Sequence, residues 1–294
     1  MAQDFTCTTL DMVRAEASRI WASNDKFMTS IRPQVEVAKR VISKQTARIE
    51  SVLGDGNCND AKVWWYDACG SEPVDNTADC NISGGDTVST SCKTYGYTVE
   101  KMAKLTVNDA EFCGNDAGFE EAIAKGFLKM ATNLDNQIEK FVINALDGFA
   151  GTNKYTSDDR GDVVGTTTFV GAPYWGAGLM SYFAKVAMVN KMENSSMFSG
   201  ENMFDVVYNA GADSDNANGK GDANKLSAFD WGFDLFNMDT LLGAKKTLMV
   251  SPDAVAFSSW NKFKQRDAIN NGANIERFTF NSPNLDGVVY DVVY

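Results

Sequence analysis

The chemistry open to this chain is set by its six cysteines and by the lack of histidine among its 294 residues. Histidine is the side chain that most often transfers protons near neutral pH and most often binds metal ions. A serine or cysteine nucleophile activated by histidine is therefore excluded. All the cysteines lie between Cys7 and Cys113, so any thiol chemistry belongs to the first part of the chain.

Five of the cysteines are spread through a polar stretch and its end: Cys58, Cys69, Cys80, Cys92 and Cys113. Zinc sites built from cysteine normally contain closely spaced Cys-x-x-Cys pairs, which are missing here, so we expect no metal and no cofactor. Disulfides within the stretch, or between neighbouring subunits, would stabilise a segment with little core, whereas a reducing cytoplasm would oppose them. These five residues are candidates for disulfide or inter-subunit contacts.

Pairs of carboxylates are the one catalytic arrangement that the composition permits, because a glycosidase needs two acids about 5 to 10 Å apart. Neighbouring acids occur at Asp158-Asp159 and at Glu120-Glu121. The first pair lies in a polar turn and the second at the start of a predicted helix, and we interpret both as solvated. We therefore expect a protein that is not an enzyme and has no catalytic residues.

An aromatic run interrupts the polar stretch, where Trp64, Trp65 and Tyr66 follow Val63. Such rings can stack on a sugar, but they are also enriched in protein interfaces, where they bury a large apolar surface. We favour the second interpretation. The three residues form a candidate interface between subunits.

The composition is that of a folded protein, with 44% hydrophobic residues and a formal net charge of −12. That charge argues against nucleic-acid recognition over the whole surface, because phosphate contacts need clustered Lys and Arg. Residues 1–53 are the only basic part, and residues 54–113 are strongly acidic. No run of about 18 apolar residues and no secretory signal are visible, which predicts a protein that is made in a cytoplasm and enters no membrane.

The first half of the chain predicts helices around one long loop. Apolar spacing favours helices over residues 9–53, divided at Pro33, which cannot donate a helical hydrogen bond. Residues 54–92 are too long and polar for an ordinary connection, and strands near 95–99 and 103–107 could return from them. A long helix, here named the spine helix, is predicted over 116–146 from an apolar stripe: Phe119, Ile123, Phe127, Met130, Leu134, Ile138, Phe141 and Ala145.

The second half predicts a mixture of helix and strand. Residues 151–171 form a linker or irregular strands, and residues 177–192 a helix. The apolar run over 247–250 is a buried strand, and Ser251-Pro252-Asp253 should begin a helix that continues to about residue 267. Residues 277–280 and 288–294 flank a turn and predict a closing hairpin.

This order of elements resembles the major capsid protein of tailed bacteriophages, with its Hong Kong phage-type shell fold. The run from Lys246 to Phe257 (KTLMVSPDAVAF) resembles the axial domain of such shells. The resemblance implies an α+β, tailed-phage capsid-like fold. It would have a helical N-terminal arm (1–53), an extended cysteine-rich loop (54–112), a peripheral domain with the spine helix (113–171 and 272–294) and an axial α/β domain (172–271).

The resemblance also implies a function. The chain would be a structural subunit that assembles with itself, as hexamers and pentamers, into an icosahedral virus shell enclosing double-stranded DNA without sequence-specific binding. It would assemble in the host cytoplasm and reside in the virion, with portal, scaffolding or decoration proteins as further partners. The arm, the loop and the aromatic run would bury surface on adjacent subunits. That expectation fails if they fold back onto their own chain.

Three alternatives remain open from the sequence. An extracellular binding module stapled by disulfides would stay monomeric and bind a ligand through Trp64 and Trp65. A bacterial encapsulin compartment would share the shell fold and differ in what it encloses. A glycosidase would use two carboxylates and lose turnover on one change from acid to amide.

Overall fold

The computed structural model describes residues 7–23, 26–46, 48–53, 59–67, 89–97, 99–106, 116–148, 161–164, 167–170, 178–192, 194–205, 233–252, 255–259 and 277–293. This part of the chain is an α+β structure with small sheets. Its helices are α1 (Cys7–Ser23), α2 (Lys26–Ile31), α3 (Glu36–Lys44), α4 (Asp116–Gly148) and α5 (Gly178–Val189). Its strands are β1 (Arg48–Leu53), β2 (Asn59–Asp67), β3 (Ser89–Gly96), β4 (Gly161–Val164), β5 (Thr167–Val170), β6 (Ser195–Ser199), β7 (Phe233–Met238), β8 (Thr247–Val250), β9 (Arg277–Asn281) and β10 (Val289–Val293).

The spine helix α4 is present over 33 residues, as its apolar periodicity predicts. Its most buried side, however, lies one residue further along the chain than the predicted stripe, and Phe141 of that stripe is 39% exposed. The apolar stripe did not predict this side because two of its members, Asp135 and Glu139, are acids. Both are fully enclosed. The buried positions are Ala124, Leu128, Ala131, Thr132, Asp135, Glu139, Val142, Ile143 and Leu146.

The N-terminal arm packs against the spine helix of its own chain. A small core forms where Val13, Ala17 and Ile20 of α1, with Met28 of α2, meet the first half of α4. Helix α3 packs on the second half of α4. The expectation that the arm buries its apolar surface on a neighbouring subunit is therefore wrong for α1, α2 and α3, because the apolar faces of these helices already have partners.

Residues 48–53 form strand β1 and not the end of a helix, which corrects the prediction for this segment. β1 pairs antiparallel with β2, and β2 pairs antiparallel with β3, so that β2 is the central strand. The β-branched Ile49 and Val52 suit a strand, and cross-strand pairing outweighs their helical spacing. The returning strand is β3. Residues 103–106, predicted as part of a strand, are not in one.

The main core joins the arm, the spine helix and the second half of the chain. It lies between α3, the end of α4, the sheet β7-β6-β8 and the C-terminal hairpin β9-β10. β6 runs parallel to β7 and antiparallel to β8, and all five of its residues are buried. The members of this core are Val35, Val37, Ala38, Val41, Val142, Ile143, Leu146, Phe198, Leu242, Val250, Leu285 and Val288.

Several local predictions for the second half are confirmed, since α5, β8 and the hairpin β9-β10 occur where the sequence places them. Strands β4 and β5 pair with each other within residues 151–171, which were expected to form a linker or irregular strands. The helix predicted after Pro252 is not found over residues 255–259. There the Phe257 N–H donates to Oε1 of Gln45 at 2.8 Å, and Val255 and Phe257 pack on the main core. These tertiary contacts hold the segment in a non-helical conformation. The remainder of that predicted helix lies outside the described residues.

Candidate functional site

The sheet β1-β2-β3 positions the predicted interface residue Trp64. Its indole Nε1 donates to Oε2 of Glu50 at 3.1 Å, and Nζ of Lys62 lies 4.2 Å from the ring centroid. Arg48 completes the group by donating to Oε1 of Glu50 at 2.6 Å. The hydrogen bond from Trp64, followed by that from Arg48, lowers the pKa of Glu50. Polar neighbours therefore orient the ring on the sheet surface.

Cys92 lies directly opposite Trp64 in the pairing of β2 with β3. Its side chain is exposed and its thiol is free. The following four residues of β3, up to Gly96, are exposed as well. Because successive strand residues point to opposite faces, this run of five leaves both faces of β3 open to solvent. Tyr95 remains 47% exposed although Nζ of Lys93 lies 5.2 Å from its ring centroid.

The structure brings together only part of the predicted set. Trp64 and Cys92 are neighbours on adjacent strands. The backbone of Trp65 and Tyr66 continues β2, and their side chains lie outside what the structure describes. The other candidate cysteines also lie outside the described residues: Cys58, Cys69, Cys80 and Cys113.

A buried polar site at the spine helix was missed by the sequence reasoning. Oε1 and Oε2 of Glu139 accept hydrogen bonds from the backbone N–H groups of Val37 and Ala38, at 3.0 and 2.8 Å. These groups belong to the first turn of α3, where the N–H groups have no partner within the helix. Glu139 therefore caps the arm helix α3 from the spine.

The carboxyl of Glu139 is also next to Asp239, which follows β7 and is fully buried. Burial, a hydrogen bond to Asp239 and repulsion from that residue raise the pKa of Glu139 to about 9, against an ordinary 4.5. Glu139 is thus protonated at neutral pH. Oδ1 of Asp239 accepts the Leu241 N–H at 2.8 Å.

A second carboxyl of the spine helix, Asp135, ties it to the C-terminal hairpin. Asp135 accepts hydrogen bonds from Ser282 at 2.7 Å, from Asn284 at 2.5 Å and from the phenol of Tyr290. Burial raises the pKa of Asp135, although these three donors act in the opposite direction. The phenol pKa of Tyr290 is raised by burial and by the nearby carboxylate.

These acids suit a structural role. A catalytic pair must reach its substrate, but Asp135, Glu139 and Asp239 each have 0% exposure. The only sequence signal was the four-residue separation of Asp135 and Glu139 beside an apolar stripe, which places both on one side of a helix. That spacing is equally common on solvated helix faces, so it did not distinguish burial from exposure.

Among the described helices, none is long and apolar enough to cross a bilayer. No family model, curated protein or solved structure matches this chain.

Proposed function

We propose that this chain is a structural subunit that assembles with copies of itself into a closed shell, as the major capsid protein of a virus with double-stranded DNA. The observation that carries the proposal is the exposure of both faces of β3 between Cys92 and Gly96. Among the described strands β3 is also an edge strand, and an edge strand of a small sheet offers backbone groups to another chain. A second subunit would cover this edge.

The remaining architecture supports a rigid building unit. The spine helix receives the arm on one part of its surface and the C-terminal hairpin on another, through two cores and two buried carboxyls. In this proposal the subunit makes its lattice contacts through the sheet, which carries Trp64 of the predicted aromatic run, and not through α1 to α3 of the arm, which the sequence analysis also counted among the contacts.

The acidic composition is compatible with a shell that encloses DNA, and it does not favour binding of DNA to the subunit surface. A net charge of −12 gives no general attraction for phosphate. Packed DNA would be retained by the closed wall of the virion, which forms in the host cytoplasm from hexamers and pentamers. Portal, scaffolding or decoration proteins would be additional partners.

The test is assembly of the expressed full-length chain, followed by sedimentation velocity and negative-stain electron microscopy. Thr94→Arg and Tyr95→Arg place a charge on opposite faces of β3, and Asn144→Arg places the same charge at an exposed position of the spine helix. Wild type and Asn144→Arg should form rings or shells. At least one β3 variant should remain small while keeping its thermal transition, because burying an unpaired charge opposes association.

A wild-type chain that stays monomeric under all assembly conditions would contradict the proposal. Shells formed equally well by both β3 variants would contradict the role of the sheet. Particles that protect double-stranded DNA from nuclease support a virus shell. Particles that enclose protein cargo and no DNA would favour the encapsulin compartment instead.

A further inference from the structure

A groove with a basic lining lies beside the second half of the spine helix. It has a volume of about 740 Å³, and α4, the segment before α3, residues 101–103 and the turn after β7 line it. Its cations are Arg32, Lys101 and Lys140, and all three are exposed. Among its lining residues that the structure describes there is no carboxylate. In a chain with a net charge of −12, this concentration of positive charge on a concave surface favours an anion.

The acids of this part of the spine helix do not line the groove. Asp135 and Glu139 are fully buried, where they bind the C-terminal hairpin and α3. Lys140 follows Glu139 in the sequence but is exposed in the groove. Neither Lys140 nor Lys101 forms an ion pair with any residue that the structure describes. The charges of both lysines are therefore available to a ligand.

The polar groups beside the cations indicate what kind of anion fits. Oε1 of Gln34 accepts the Thr240 N–H at 3.0 Å and also the Thr240 hydroxyl. The amide NH₂ of Gln34 is the group left for a ligand, and it can only donate. Further amides come from Asn133, Asn136 and Gln137 of α4. Cations and amide donors together suit a ligand that carries several negative charges and accepts hydrogen bonds, and phosphate groups do both.

One wall of the groove belongs to residues 99–106, here named the strap. All eight residues are exposed, and none of them forms a hydrogen bond with any residue that the structure describes. Leu105 packs closely on the spine helix at Gly126, where a Cβ would lie 2.8 Å from the Leu105 side chain. Lys101 is four residues from this contact. A ligand that bridges Lys101 to Lys140 would therefore add a second attachment of the strap to the helix.

The chain's own acidic segment, residues 68–88, begins and ends far along the sheet from the strap. Asp67 and Ser89 flank the segment and pair at one end of β2 and β3, whereas Gly96 pairs with Asp60 at the other end. The seven steps from Ser89 to Gly96 correspond to about 23 Å along the strand. The strap follows Gly96. The acidic segment would have to return along β3 to reach the groove, whereas a ligand from solution has no such restriction.

We propose that the groove at Arg32, Lys101 and Lys140 binds phosphate groups, either of a free oligophosphate or of a nucleic-acid backbone, and that the bound ligand holds the strap on the spine helix. The volume of the groove lies in the range of small-ligand sites and accommodates several linked phosphates. All the groups that form the site come from one chain. Binding therefore needs no assembly and does not depend on the proposed shell function.

The first experiment titrates tripolyphosphate into the unassembled full chain by isothermal calorimetry. We expect one site per chain and an affinity that falls with salt, because exposed charges are screened. Lys140→Gln should weaken binding about tenfold or more, since it removes a charged contact. Lys129→Gln removes the same charge from an exposed position of α4 outside the groove and should change the affinity less than about twofold. Equal effects of the two variants would overturn the assignment.

The second experiment follows the strap by trypsin cleavage after Lys101, with the released peptides measured by mass spectrometry. Saturating tripolyphosphate should slow this cleavage about tenfold or more, because a held segment is cleaved only after it opens. The protection should persist in Lys129→Gln and disappear in Lys140→Gln. Binding with no protection of Lys101 would show that the ligand does not hold the strap.

Ligand controls separate the two sources of phosphate and the competing occupants. Tighter binding of a thymidine decanucleotide than of tripolyphosphate would assign the site to a nucleic-acid backbone, and the reverse order to a free oligophosphate. No binding of either, or equal binding of the tricarboxylate citrate, would overturn the proposal.

A further variant tests the chain's own acids, with amides at four positions: Glu72→Gln, Asp75→Asn, Asp79→Asn and Asp86→Asn. It should bind tripolyphosphate within about threefold of wild type, because these acids lie outside the proposed site. Binding that appears only in this variant would overturn the proposal and assign the groove to residues 68–88.

Discussion

The carboxyl groups of Glu139 and Asp239 are close enough to influence each other, although neither side chain reaches solvent. Glu139 comes from the spine helix and Asp239 from the turn after β7, and Glu139 also caps the first turn of α3. Three elements distant in the sequence therefore meet at the carboxyl of Glu139. Burial of this pair makes the free energy of unfolding depend on pH.

The first prediction concerns that dependence. Because the pKa of Glu139 rises from 4.5 to about 9 on folding, the native state holds a proton that the unfolded state releases between these values. This contribution to stability is fully present below pH 4.5 and is lost as the pH rises toward about 9. Urea unfolding at several pH values should show it.

The matched variants are Glu139→Gln, which stays neutral, and Glu121→Gln, which removes an exposed acid paired with Lys125 at 2.6 Å. Glu139→Gln should be less stable than wild type in acid, because an amide can accept only one of the two α3 N–H groups through its oxygen. The difference in the free energy of unfolding between wild type and Glu139→Gln should narrow as the pH rises. If the free energy of unfolding changed with pH in the same way for wild type and Glu139→Gln, the proton on Glu139 would not contribute to stability.

The second prediction concerns the bond between Asp135 and Tyr290. Tyr290→Phe removes one of the three donors to a buried carboxylate, which should lower the free energy of unfolding by about 1 to 3 kcal/mol. Tyr95→Phe, at an exposed position of β3, should change it by less than about 0.5 kcal/mol. Denaturant unfolding with both variants measures the contrast, and equal effects would contradict the importance of this contact.

The third prediction concerns Gly200, which follows β6. A Cβ at this position would lie 2.1 Å from the carbonyl oxygen of Gly243, a backbone atom that cannot rotate away. Gly200→Ala should therefore destabilise the protein by about 3 kcal/mol. Gly148→Ala has open space around the new methyl group and should stay within about 1 kcal/mol of wild type. A Gly200→Ala chain with the wild-type melting temperature would contradict the close packing of these two turns.

The fourth prediction uses the exposed thiol of Cys92. A maleimide reagent should label Cys92 rapidly in the unassembled chain, as mass spectrometry of its peptides can show. Once shells form, labelling should slow about tenfold or more, because a covered thiol is reached only through opening of the contact. Unchanged labelling in intact shells would place Cys92 outside any interface.

Local pattern was sufficient for much of the secondary structure. The spine helix, α5, β8 and the C-terminal hairpin follow from the spacing of apolar residues and from turn residues, which act within one element. The sequence also restricted the chemistry, since a chain without histidine lacks the usual proton-transfer and metal-binding side chain. These are properties of residue types and of short distances along the chain.

Tertiary structure alone decided which side of the spine helix is buried and how its acids are used. Any analysis of apolar periodicity places Asp135 and Glu139 on the polar side of the helix. Their burial is favourable only because residues 37–38 and 282–290 supply hydrogen-bond donors. The same holds for β1, whose strand conformation depends on pairing with β2. Contacts between residues about 100 or more positions apart leave no local pattern, because their energy exists only once the chain has folded.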